Sequence, residues 1–193
     1  NISIDILGSR NTDRTYGISG SSVTTGNGND SINITSNNVG IDATTVSTGA
    51  GSDFVTIKAG LYALKSSTVD LGAGNDYLTL LTTDDNSFSA YSGQINLGDG
   101  DDVVSLGRAD TTINGGAGSD TVLLSLKLSE INILRKDNGF IVNGINDQAI
   151  NIKLDNIEYL GFFDQGVTPI ENYMFGFIQS LNSIAENTAL PSD

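Results

Sequence analysis

Gly72-Ala73-Gly74-Asn75-Asp76 is one of five copies of the motif Gly-x-Gly-x-Asp in this 193-residue chain. The other copies begin at Gly26, Gly49, Gly98 and Gly116. The steps between the leading glycines are 23, 23, 26 and 18 residues in chain order, so the motif marks a repeat. Repetition at this period predicts a solenoid, in which each repeated unit packs only on its neighbours.

The residues on either side of each motif alternate between apolar and polar. A β-branched apolar residue stands three places before each leading glycine, at Val23, Val46, Val69, Ile95 and Ile113. Apolar residues also stand two places after each aspartate, at Ile32, Val55, Leu78, Val104 and Val122. A period of two is typical of a strand with one buried face. Each unit is therefore predicted to run as strand, glycine turn and strand.

Short apolar stretches separate the units on the side away from the glycine turns. They are Tyr16-Gly17-Ile18, Val39-Gly40-Ile41, Tyr62-Ala63-Leu64 and Phe88-Ser89-Ala90. We expect these distal stretches to bulge outward. The last distal stretch, residues 107–111, is predicted to have lost the element, which makes the final unit the tightest.

The glycine turns suit a metal with oxygen ligands. Glycine tolerates positive φ, so two alternating glycines let the backbone curl and turn several carbonyl groups to one side. An aspartate then ends each curl and adds a carboxylate. Calcium takes six to eight such oxygens. One turn supplies too few ligands, whereas two stacked turns supply enough, so five turns predict about four calcium ions held between successive turns.

These motifs resemble those of the RTX (repeats-in-toxin, hemolysin-type) calcium-binding family. The resemblance implies an all-β fold, a right-handed parallel β-roll or β-helix solenoid with calcium turns on one edge. It implies carboxylate ligands at Asp30, Asp53, Asp76, Asp102 and Asp120. It implies main-chain carbonyl ligands at Gly26, Gly28, Asn29, Gly49, Gly51, Ser52, Gly72, Gly74, Asn75, Gly98, Gly100, Asp101, Gly116, Gly118 and Ser119. Asp99 is a candidate for an extra ligand.

The chain departs from the usual form of that family in one respect. The familiar roll carries glycine motifs on both edges, whereas this chain has one motif per unit. We therefore expect calcium along one edge only. Only the last step, of 18 residues, has the usual family length.

The downstream part resembles the segment that often follows RTX repeats. A hairpin is predicted from Ile131–Leu134 and Phe140–Val142, across the turn Asp137-Asn138-Gly139. A solenoid's last unit leaves strands unpaired, so a cap is needed. We predict a β-roll over residues 1–125, a β capping segment over 126–167 and a C-terminal helix or tail over 168–193.

The C-terminal tail has two interpretations, and both stay open. Its apolar residues recur at helical spacing, at Tyr173, Met174, Phe177, Ile178, Leu181 and Ile184. The first interpretation is a helix packed on the cap. The second is an export signal of the kind that RTX-like proteins carry at the C-terminus for type I secretion.

Composition agrees with a metal-stabilised extracellular repeat. Cysteine is absent, so no disulfide holds the fold. The net charge is −14, and four calcium ions would reduce it to −6. Without metal, aspartates of neighbouring turns repel each other by about 1 kcal/mol or more. We therefore predict that the metal-free chain is largely disordered and folds on binding calcium.

Other function classes are disfavoured by the same residues. Histidine is absent, which removes the usual general base and any Ser-His-Asp triad. The acidic pair Asp84-Asp85 is interpreted as a solvated loop. No active site is expected here, and any enzymatic activity would lie upstream, since the chain opens within a predicted strand. The acidic pI of about 4.1 argues against nucleic-acid binding, and no apolar run reaches the ~20 residues of a membrane span.

The resemblance implies a function as well as a fold. It implies a calcium-binding module of a larger bacterial protein, secreted or at the cell surface, that passes through type I secretion machinery and folds outside the cell. The alternative is a structural surface protein, a surface-layer component or adhesin, in which the calcium-rigidified roll serves self-association or partner binding.

Overall fold

The computed structural model describes residues 1–7, 15–84, 86–137, 139–147 and 149–173. These residues form an all-β protein built mainly from parallel strands. One short 3-10 helix, Leu128–Glu130, follows the last repeat. In this described part of the chain, no helix is long and apolar enough to cross a membrane.

The first sheet has eight strands. Their spatial order is β1 (Ser3–Leu7), β4 (Ser31–Thr35), β7 (Phe54–Ala59), β10 (Tyr77–Thr82), β12 (Val103–Leu106), β14 (Thr121–Leu124), β18 (Tyr159–Phe162) and β19 (Gln165–Pro169). All neighbours pair in parallel except β18 and β19, which are antiparallel. This sheet holds the strand that follows each glycine turn.

The second sheet holds the remaining strands. In the described residues its eleven strands are β2 (Tyr16–Ser19), β3 (Ser22–Asn27), β5 (Val39–Asp42), β6 (Thr45–Ala50), β8 (Tyr62–Lys65), β9 (Thr68–Ala73), β11 (Phe88–Asp99), β13 (Ala109–Ala117), β15 (Ile131–Lys136), β16 (Gly139–Gly144) and β17 (Asn151–Asp155). It has two rows that join at the long strand β11: one runs β2-β5-β8, and the other, which precedes the glycine turns, runs β3-β6-β9.

The register places equivalent residues of successive units side by side. Val46 pairs with both Val23 and Val69, and Val55 pairs with both Ile32 and Leu78. The same alignment continues to the fifth unit. The inward-facing residues are almost completely buried, so the predicted apolar ladders form one continuous core.

The prediction that each unit has only two strands is wrong, because the distal stretches, which we expected to bulge outward, also form strands. They form a further row of parallel strands, with Ile41, Ala63 and Leu64 fully buried. Each strand has only four residues, too few for the alternation to show in the sequence. Small residues are required there, because a Cβ on Gly40 would collide with Ile57 and with the Ala63 carbonyl.

The prediction that the last distal stretch has lost this element is also wrong. Ala109 pairs with Ala90 and is fully buried, so the element is present at the start of β13. The chain enters the next strand there without a separate corner. Ala109 is the only apolar residue of this short element, so the sequence pattern does not reveal the element.

The capping segment continues both sheets. The predicted hairpin is confirmed: β15 and β16 are antiparallel, with Ile133 opposite Val142. β16 pairs with β17, which lies parallel on β13, while β18 covers β14. Residues 170–173 are helical, and the Tyr173 ring packs edge-on against Phe162 with centroids 5.3 Å apart. The rest of the predicted helix, 174–193, lies outside the described residues.

Candidate metal-binding row

Both glycines of every motif adopt a conformation that other residues rarely take. Their φ angles lie between +100° and +139°. Stacking makes a second demand, because a Cβ on the leading glycine of units two to five would collide with the carbonyl oxygen of the leading glycine one unit earlier. The glycine carbonyls therefore face the backbone of the next turn at close range.

Backbone hydrogen bonds tie each glycine turn to the next. The second glycine of a motif donates its N–H to the carbonyl at the second place of the following motif. The Gly28 N–H donates to the Ala50 carbonyl at 2.6 Å, and the Gly51 N–H donates to the Ala73 carbonyl at 2.7 Å. These bonds use the second-place carbonyls, and Asp99 is the one residue at this place that the sequence proposed as a metal ligand.

The aspartates that end the motifs form one row along the stack, here called the aspartate row. It consists of Asp30, Asp53, Asp76, Asp102 and Asp120, none more than 2 % exposed. Oδ1 of each of the last four carboxylates accepts the backbone N–H of the aspartate one unit earlier, and Oδ1 of Asp30, the first of the row, accepts the Ile2 N–H at 2.6 Å. The Asp53 N–H, for example, donates to Asp76 Oδ1 at 2.7 Å. The structure thus brings together all five predicted carboxylates.

The second oxygen of each carboxylate has no partner. Among the described residues, the five Oδ2 atoms of the aspartate row are the buried side-chain oxygens and nitrogens that lack a hydrogen bond. Buried polar atoms are almost always hydrogen-bonded, and a buried charge without a partner is costly. Five orphaned carboxylate oxygens in one line, beside carbonyl-rich turns, fit a row of hard cations.

The carboxylates also carry an electrostatic strain. Burial is the main cause that raises the pKa of Asp76 to about 7; the Asp53 N–H opposes this, while the carboxylates of Asp102 and Asp53 add repulsion. Burial likewise raises the pKa of Asp120 to about 6 and raises the pKa of Asp102. A cation within the row would lower these pKa values, because it stabilises the ionised carboxylates against burial and against their mutual repulsion.

The fourth place of the motif has a side-chain role in several units. The side chains of Asn29, Asn75 and Asp101 each accept a backbone N–H from the next turn at 2.9–3.0 Å. The sequence predicted that these residues would bind metal through their main-chain carbonyls, and it predicted no role for their side chains. Asp99 is exposed, and its carbonyl accepts the Gly74 N–H at 2.7 Å.

No group of three or more His, Cys, Asp or Glu side chains in the described part of the chain converges tightly enough to hold a metal by itself. The row supplies one carboxylate per unit. A metal held here must therefore take most of its ligands from main-chain carbonyls of the glycine turns.

Sequence reasoning missed one member of this region. Glu158, in the cap, accepts the Asp120 N–H at 2.9 Å through Oε2, as an aspartate would in a further unit. No glycine motif precedes it, and the only sequence signal is that Tyr159 and Leu160 follow it as a strand follows each aspartate.

No protein-family model matches this chain, and no curated protein shows significant similarity to it.

Proposed function

We propose that this chain is a calcium-binding repeat module of the RTX type, a parallel β-roll that folds when calcium fills its glycine turns. The five buried Oδ2 atoms without partners carry the proposal. Every other buried side-chain polar atom in the described residues is hydrogen-bonded, so the deficit is confined to one line. A cation is the simplest partner for it.

The donor set favours calcium over other metals. The chain has neither histidine nor cysteine, so soft and nitrogen-preferring metals find no suitable side chains. Magnesium usually keeps several waters in strict octahedral geometry, whereas calcium accepts many protein oxygens in flexible geometry. The aspartate row and the glycine carbonyls of adjacent turns would hold the ions. Such ions would supply the positive charge that compensates the carboxylates of the row.

Metal binding and folding are expected to be one event. The carboxylates are placed side by side only when the units stack, and stacking brings like charges together. When no preformed site exists in the unfolded chain, the free energy of binding contributes directly to folding.

This coupling suits a secreted or cell-surface protein, which meets high calcium concentrations only after it leaves the cell. Extracellular calcium modules bind with dissociation constants of about 10⁻⁴–10⁻³ M, so the sites stay empty inside the cell and fill outside. The RTX resemblance adds passage through type I secretion machinery as an extended chain, and membership of a larger bacterial protein.

A calcium titration followed by far-UV circular dichroism tests the proposal. We expect little β structure in chelator, full β structure in millimolar calcium, and at least four bound ions by calorimetry. Magnesium at the same concentration serves as the matched ion control. Full β structure in excess chelator, or no calcium binding, would contradict the proposal.

One observation favours a second candidate, self-assembly at a surface. Phe54 and Tyr77 are 53 % and 46 % exposed on the first sheet, and their rings stack in parallel with centroids 5.1 Å apart. An exposed apolar patch of this kind suits contact with a second copy of the chain. Ordered polymers in calcium, seen by electron microscopy and lost in Phe54→Ser, would support it. A monomer at all concentrations would exclude it.

A further inference from the structure

The chain of amide-to-carboxylate bonds extends one step beyond the last repeat. The Asp120 N–H donates to Glu158 Oε2 at 2.9 Å, as each earlier aspartate N–H donates to the next aspartate. The strand register agrees, because Thr121 pairs with Tyr159. Glu158 therefore stands where the aspartate of a sixth unit would stand.

The turn before Glu158 differs from the glycine turns. Asn114 pairs with Asp155, so six residues, 115–120, separate the paired strands in the fifth unit, but only three, 156–158, in the cap. The shorter turn contains no glycine, and Asn156 adopts a φ of +53°. Glutamate has one methylene more than aspartate, which lets its carboxylate reach the same amide from this shorter turn.

Two further oxygens converge at this place. A Cβ on Gly115 would lie 2.5 Å from Asp120 Oδ2 and would collide with the Asn156 carbonyl oxygen. Because Gly115 has no side chain, both oxygens can lie next to the position that its Cβ would occupy, and therefore close to each other. Asp120 is fully buried, and its Oδ2 has no hydrogen-bond partner among the described residues.

We infer that the capped end holds a fifth calcium site, formed by Asp120 Oδ2, the Asn156 carbonyl and the Glu158 carboxylate. This inference rests on the proposed function of the five glycine turns and adds a site that lacks a second glycine motif. The ion joins the last repeat to the capping segment, so the cap docks fully only in calcium.

The surroundings allow this site to exchange its ion with solvent. Glu158 is exposed, and Asn156 and Glu158 border an open cleft of about 450 Å³ that water can enter. Arg135 also lines the cleft, but its guanidinium lies 2.9 Å from the Glu171 carboxylate, which compensates its charge. We expect water to complete the ligand set, and the fifth ion to bind more weakly than the others.

Native mass spectrometry and calorimetry with calcium chloride test the inference on the full chain. We expect five ions for the original protein and four for Glu158→Gln, with the same far-UV spectrum in calcium. Glu130→Gln is the matched control, because the exposed Glu130 carboxylate also accepts a single backbone N–H, that of Lys127. This control variant should keep five ions.

The outcomes separate this inference from the proposed function. If Glu158→Gln binds as many ions as the original protein, with equal affinities, the fifth site is excluded while the repeat sites stand. If the original protein binds no calcium, the proposed function fails. Should Glu158→Gln not fold, Glu158→Asp keeps the charge but shortens the reach. The weakest site should then lose affinity by about tenfold, and an unchanged affinity would overturn the inference.

Discussion

The glycine-turn edge and the distal edge of the molecule bury polar groups in opposite ways. On the distal edge, the hydroxyl groups of Ser67 and Ser87 donate to the Lys65 and Gly60 carbonyls at 2.7 and 2.9 Å. On the glycine-turn edge, each aspartate of the row keeps one oxygen that no residue in the described part of the chain contacts by a hydrogen bond. The distal edge therefore satisfies the buried hydroxyl groups of these serines with main-chain partners, whereas the glycine-turn edge leaves five buried carboxylate oxygens without a partner among the described residues.

We expect the largest effect on calcium-dependent folding from substitution of the aspartate in the middle of the row. Asp76→Asn removes a charge that adjoins the turns on both sides, while Asp30→Asn removes one at the end of the row. We expect Asp76→Asn to raise the calcium concentration for half-folding by more than tenfold, and Asp30→Asn to raise it less. Circular dichroism during calcium titration measures both.

Equal effects of the two substitutions would argue against ions shared between adjacent turns. Asp70→Asn is a suitable control, because Asp70 is exposed on the strand before the same turn. It removes the same charge without touching the row, so its titration midpoint should stay near that of the original protein.

A comparison of Gly26 with Gly72 distinguishes the effect of backbone strain from the effect of stacking on the glycine-turn edge. Gly26 and Gly72 have φ angles of +103° and +100°, but a Cβ on Gly72 would collide with the Gly49 carbonyl, whereas among the described residues nothing lies within 4 Å of a Cβ on Gly26. We expect Gly26→Ala to cost about 1–3 kcal/mol through strain alone. Gly72→Ala should cost more.

Chemical denaturation in saturating calcium gives both free energies of unfolding. Similar losses for the two variants would mean that the turns stack more loosely than the structure shows.

The response to pH should change sign with calcium. In the folded, metal-free protein the pKa of Asp76 is raised to about 7 and that of Asp120 to about 6, against 3.8 in an unfolded chain. The folded state therefore binds more protons than the unfolded state between about pH 7 and 4, and acidification in this window stabilises it. In calcium, protons compete with the metal, so acidification should destabilise the protein.

Far-UV circular dichroism in chelator and thermal unfolding in calcium, each at pH 8 and pH 5.5, measure this difference: in chelator the β content should rise on acidification, and in calcium the melting temperature should fall. Less β structure at pH 5.5 than at pH 8 in chelator would contradict the buried, uncompensated row.

The smallest effect is expected on the distal edge. Ser67→Ala leaves the Thr44 N–H without its acceptor, the Ser67 hydroxyl at 3.0 Å. We expect a loss of about 1 kcal/mol, because a typical single hydrogen bond contributes about that much to stability. This change in the free energy of unfolding should not depend on the calcium concentration, as long as the protein is folded. A titration midpoint shifted as far as that of Asp76→Asn would mean that the two edges are not independent.

The sequence predicted those parts of the fold in which the same residue types recur at the same place of every unit. The pairing of Val46 with Val69 follows from a repeated motif and a period of two, and so does the row of aspartates. The distal strands were missed because packing, and not alternation, decides them: Ala90 and Ala109 are in register although little around them matches. A pattern of four residues is too short to outweigh its tertiary context.

The candidate site was predictable to a similar extent. The identity of the carboxylates followed from the motif, but their direction did not. Only the structure separates Oδ1, which bonds the previous unit, from Oδ2, which is left without a partner. Glu158 was not recognisable, because its position depends on the strand register of the cap and not on a motif.

The amide-to-carboxylate bonds give the stack a direction. Each unit offers a carboxylate to the unit before it and requires one from the unit after it, so every internal unit presents the same pair of complementary ends. One terminal acceptor, supplied by Glu158, satisfies the last amide whatever the number of units. The length of such an array is thus free to vary by whole units: duplication or deletion of one unit creates no unmatched donor, and the same cap still fits.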